Sequence, residues 1–141
     1  MKREDAFNDI SSALETKLAN ALLNPYGAEL TNEIPESMPN NLNPQIVLSQ
    51  IDYGLGGETL SKTERKHTFS IEAQIFAIDS ATVHKRVIAN NIADLVETHI
   101  DGYGMTLETS QVIPNLQENV FRIVLRFSGL IDDNTEIIYR E

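Results

Sequence analysis

The chain contains no cysteine. It therefore has no disulfide, no thiolate metal site and no cysteine nucleophile, and cysteine usage says nothing about redox compartment. Long apolar runs are also missing. The longest is the four residues Ile75 to Ile78, far short of the roughly 20 a bilayer crossing needs, and Met1-Lys2-Arg3 leads into an amphipathic stretch, so a soluble protein with no export signal is expected. Basic residues are scarce, with 11 Lys and Arg against 21 Asp and Glu and a net charge of −10. Such a surface repels phosphate backbones and anionic lipid, which argues against a dedicated nucleic-acid or membrane-surface binder. No Lys or Arg occurs from Leu18 to Ser61.

What is present is enough to fold. Apolar residues make up 41% of the 141 residues and charged residues 23%, near the globular average, and a chain of this length buries roughly 68% of its unfolded surface. One domain spanning residues 1–141 is expected. From Glu4 to Leu23, the residues Phe7, Ile10, Leu14, Leu18 and Leu22 recur at spacings of three and four, which predicts an amphipathic helix ended by Asn24-Pro25. Residues 24–44 hold four of the five prolines and five asparagines, which predicts a long irregular arm. Gln45 to Tyr53 and Thr63 to Ile78 read as strands, the second alternating cleanly with Phe69, Ile71, Ala73, Ile75 and Ala77 on one side. Gly54, Gly56 and Gly57 make the intervening segment, residues 54–62, a projecting hairpin tip.

Ser80 is placed to cap a second helix reaching Ile100, with Val83, Val87, Ile88, Ile92, Leu95 and Val96 as its stripe and Asp101-Gly102 as its end. Met105 to Ile113 and Gln117 to Gly129 read as strands, the latter with Phe121, Ile123, Leu125 and Phe127 inward and Arg122, Arg126 and Ser128 outward. Thr135 to Arg140 is a short last strand, with Ile137 and Tyr139 on one face, that lies at a sheet edge or extends a neighbour's sheet. The pattern predicts an α+β fold, a single mostly antiparallel sheet of about five strands with two amphipathic helices packed on one face. Phe69, Ile71, Phe121, Ile123, Leu125, Ile92, Leu95 and Leu14 form the expected core, and the opposite sheet face is expected to be polar.

Chemistry is harder to find than architecture. The Gly-x-Gly-Gly stretch precedes a strand, whereas a phosphate cradle needs a helix N-terminus there. His67, His84 and His99 fall on different elements without ligand spacing, no strained Gly-x-Ser-x-Gly turn presents a nucleophile, and Asp132-Asp133 reads as a solvated turn. No catalytic residue, metal site or cofactor is assigned, and the chain is not expected to be an enzyme. Docking candidates are Gly56, Gly57, Glu58, Lys62, Arg65 and Lys66 around the hairpin tip, where the only basic cluster lies, and Ile137 and Tyr139 at the C-terminal edge.

In this order of elements the chain resembles the tail terminator, or tail completion, proteins of long-tailed bacteriophages over residues 4–140. The matching features are the helix around Phe7, Ile10 and Leu14, the strand Pro44 to Leu48, the hairpin ending in the run His67 to Phe76, the single helix after it, and the closing run Phe121 to Ile131. The resemblance implies a virion protein, assembled in the host bacterial cytoplasm, that forms a hexameric ring with copies of itself. Such a ring contacts the tail tube protein on one face and the head completion or neck protein on the other, and DNA passes through it without specific binding. A neck, head-closure or minor tail protein is the alternative within that class, and a small ligand-binding regulatory α+β domain is the alternative outside it.

Overall fold

The computed structural model describes residues 3–31, 43–51, 66–113, 119–132 and 138–139. Helix α1 spans Arg3–Leu18, with Lys17 in its last turn opposing the negative end of the helix dipole. It stops four residues short of Leu22 because asparagine side chains compete for the backbone beyond it. Asn20 Oδ1 accepts from the Leu22 amide at 3.0 Å. Buried Asn24 donates to the Leu18 and Ala28 carbonyls and accepts from the Ala28 amide, all at 2.9–3.0 Å. Gly27, at φ 68°, then turns the chain into β1, Glu29–Thr31. The region expected to be irregular thus contains a strand, and residues 32–42 lie outside those described.

The remaining elements are β2 (Gln45–Ile51), β3 (Lys66–Ala77), α2 (Lys85–Asp101), β4 (Thr106–Ile113), β5 (Phe121–Asp132) and β6 (Ile138–Tyr139). The sheet is open and mixed, in the order β1-β2-β3-β5-β4, with β6 also paired to β5. Among the described strands only β1 and β2 run parallel, with Glu29 opposite Gln45. At the centre, β3 and β5 pair antiparallel in unbroken register from Lys66↔Asp132 to Ala77↔Phe121. Leu130 and Ile131 already face β3 on one side, so β6 occupies the β4 side of β5, beyond Thr106.

Both helices share one buried cluster with one sheet face. Ala6, Ile10 and Leu14 of α1 and Ile88, Ala89, Ile92, Ala93, Val96 and Ile100 of α2 meet Ile46, Leu48, Phe69, Ile71, Ala73, Ile75, Ile123, Leu125 and Phe127. The α2 stripe is rotated from the expected one: Val87 is exposed and Leu95 half-buried, while Ala89 and Ala93 take the inward positions. Alanine is nearly silent in a hydropathy pattern, yet its small side chain lets a helix approach a sheet closely. Phe121 is likewise half-buried at the margin of the cluster. Ser80 does not cap α2. His84 does, its Nδ1 accepting from the Arg86 amide at 3.1 Å, while the Asp79 carboxylate accepts from the Lys85 amide at 2.7 Å. At the other end, Gly104 rather than Gly102 takes the left-handed conformation, at φ 83°. The opposite sheet face is not purely polar: Val47, Phe76, Ile78 and Val120 form a second buried cluster there.

His99 joins the two helices. Its Nε2–H donates to the Ile10 carbonyl at 3.0 Å, and its ring meets Tyr103 edge-on at 5.4 Å. Burial lowers its pKa below the ordinary 6.5, the Lys17 charge acting in the same direction and the Ile10 carbonyl opposing. Between the folded pKa and about 6.5 the unfolded chain binds a proton that the folded chain refuses, so this contribution to stability is full above 6.5 and is lost as pH falls. Urea midpoints measured from pH 7.5 to 5 should accordingly drop more steeply for the wild type than for His99→Met. Truncating buried Ile123 to Ala should cost about 2–5 kcal/mol in the same assay, and truncating half-buried Leu95 distinctly less.

Candidate functional site

On the sheet face away from the helices, side chains from β3 and β5 alternate into one continuous network. Glu72 and Arg126 are direct cross-strand neighbours, and the Arg126 Nε donates to Glu72 Oε2 at 2.8 Å. Gln74 Nε2 donates to the other Glu72 oxygen at 2.9 Å. The Gln74 carbonyl oxygen in turn accepts from both Nε and a terminal nitrogen of Arg122. Arg122 lies over the Phe76 ring, 5.3 Å from its centroid. The amide orientation of Gln74 is thereby fixed at both ends, and one carboxylate is balanced between an arginine and an amide. Nearer β4, the Ser128 hydroxyl donates to Glu108, the extra residue in an irregular step of the β4–β5 ladder between Leu107 and Thr109. Ser70 Oγ is buried beside this row with no hydrogen-bond partner among the described residues.

The sheet ends in two described edges. At one, the carboxylate of Glu29 on β1 is held by the amides of Asn43 and Gln45, both at 3.2 Å. At the other, β4 combines its bulge at Glu108 with an outward Val112 that is 60% exposed. Bulges and charged side chains hinder an edge from pairing indiscriminately. Between sheet, turn and helix lie a groove of about 510 Å³ bordered by Tyr26, Pro44, Asp79 and Val83, and a smaller one of about 270 Å³ bordered by Leu23, Pro25, Tyr26 and Leu95. The side chains of Asp79 and Ser80 at the larger groove already cap local amides. Among the described residues no three His, Cys, Asp or Glu side chains gather in a metal-binding group, and no helix is long and apolar enough to cross a membrane.

Of the residues singled out in the sequence, Gly56, Gly57, Glu58, Lys62, Arg65 and Ile137 lie outside the described residues. Lys66 opens β3 opposite Asp132, and Tyr139 pairs with Leu130 in β6, so the C-terminal strand joins the sheet of its own chain. Arg122 and Arg126 do share a face, as their spacing implies, with Glu72 and Gln74 as partners. Sequence reasoning missed the surface at Leu22 and Leu23, which are 92% and 48% exposed. Helical spacing drew Leu22 into the α1 stripe; the asparagines at positions 20 and 24 were the signal that the helix had already ended.

No protein-family model matches this sequence, and comparison with curated proteins finds no significant relative.

The two arginines differ in what their removal leaves behind. Arg122→Met strips the partly buried Gln74 carbonyl of its donors and should cost about 1–3 kcal/mol in urea unfolding. Arg126→Met removes a half-exposed side chain but deprives the Glu72 carboxylate, only 15% exposed, of its arginine donor, and should cost at least about 1–3 kcal/mol.

Proposed function

We propose that this chain is a structural subunit of a closed ring that caps a bacteriophage tail tube, ending tube growth and joining tail to head. The observation that carries the reading is the open mixed sheet with both helices on one face, which among the described residues leaves two strand edges unpaired and the other sheet face without a helix. An isolated open sheet exposes backbone donors and acceptors, and a ring of identical copies covers them because each heterologous contact is answered by the next until the ring closes. The element order is the one the sequence pattern predicts, with β1 as an additional strand beside β2. The acidic balance suits the same role: a ring that DNA must traverse gains nothing from a surface that grips phosphate.

Partners on this reading are further copies of the chain, the tail tube protein and a head completion protein. Adding the purified chain to growing tail tubes should narrow their length distribution and leave the protein at one tube end, as seen by electron microscopy with gold labelling. Labelling along the tube wall, or unchanged tube lengths, would overturn the capping role. Binding to DNA-filled heads but not to tubes would replace it with that of a neck protein.

A further inference from the structure

We propose that a second copy of this chain docks on the uncharged surface formed by the turn after α1 and the adjoining flank of α2. Residues 18–28 carry no charged side chain, and neither do residues 87–93 of α2. The fold brings these two runs together, with Asn91 Nδ2 donating to the Tyr26 hydroxyl at 3.1 Å. Leu22 stands out of this surface at 92% exposure, and Val87, one helical turn from Asn91, is 44% exposed.

Leu22 is displayed by a fixed turn rather than by a loose one. The Leu23 and Asn24 amides donate to the Asn20 carbonyl, and the Gly27 amide donates to that of Asn24. The Asn24 side chain closes the turn from inside. Beside the projecting leucine lies the groove of about 270 Å³, floored by Ile92 and bordered by Leu23, Pro25 and Leu95. A projection and an apolar recess on one patch suit a two-fold contact between identical chains, in which each copy offers both.

Charge selects the occupant. Each chain carries −10, so two copies repel wherever their charged surfaces face each other and approach closely only where neither bears charge. A basic partner would instead be drawn to the acidic surface and would have no preference for this patch. The proposed contact goes beyond the assembly reading, because neighbours in a ring meet through different patches whereas this one is self-complementary, and its test contains no tail tube, so its failure and that of the capping role are separately visible.

The experiment is sedimentation of the full chain over a concentration series, at about 50 mM and about 500 mM salt, with wild type, Leu22→Asp and Leu22→Ala. Wild type should associate, and more strongly at high salt, where like-charge repulsion is screened and an apolar contact is not. Leu22→Asp should weaken association about ten-fold or more, and Leu22→Ala less, with melting temperatures unchanged because Leu22 packs against so little of its own chain. A mass that stays at 15.8 kDa throughout, association that weakens with salt, or a Leu22→Asp variant that associates like wild type would each overturn the proposal.

Discussion

The pairing of β3 with β5 is the constraint on which the rest of the molecule depends. These are the two longest strands, matched residue for residue along their whole length, and each presents an apolar side to the helices and a mixed side to the opposite face. Because strand side chains alternate, a slip of one residue would invert both faces at once. The register is fixed from both sides: Phe69, Ile71, Ile123, Leu125 and Phe127 are buried beneath the helices, and the Arg126–Glu72 contact is available only with those residues opposite each other.

The helices are attached to that ladder unequally. Helix α2 contributes seven buried residues to its inner face, including His99, whereas α1 adds Ala6, Ile10 and Leu14 and is linked to α2 through the bond from His99 to the Ile10 carbonyl. Around Leu22 and Leu23 the chain is held by local hydrogen bonds of Asn20 and Asn24, whereas Tyr26 and Ala28 further on pack against the core. That difference explains why Leu22 and Leu23 remain outside the core: the turn satisfies its backbone without needing their side chains.

Strands with clean alternation were legible in the sequence, as were both helices, because burial of one face imposes a period that survives without knowledge of partners. Helix boundaries were less so. Leu22 fits the α1 stripe by spacing alone, and only the side-chain chemistry of Asn20 and Asn24 excludes it. The inward face of α2 was displaced because Ala89 and Ala93 weigh little in a hydropathy pattern, and His99 looked like an isolated histidine until Ile10 was brought beside it. Strand β1 was hidden by its brevity and by a parallel pairing that no turn signal announces. The polar partners of Arg122 and Arg126 lie on a strand far away in the chain, so spacing identified the shared face but not the ladder that organises it.

The central ladder also has a temporal consequence. Its nearest pair, Ala77 with Phe121, is separated in sequence by all of α2 and β4, so β5 cannot close the sheet until the chain has searched across that interval. Non-local pairing of this kind slows folding. During synthesis, β3 leaves the ribosome after β2 but well before β5, with Phe69, Ile71 and Ile75 still lacking the native neighbours that α2 and β5 supply. The hazard is greatest for the nascent chain, and α2, which emerges next and packs on the apolar side of β3 in the native fold, adds to the cover that α1 and β2 can already give.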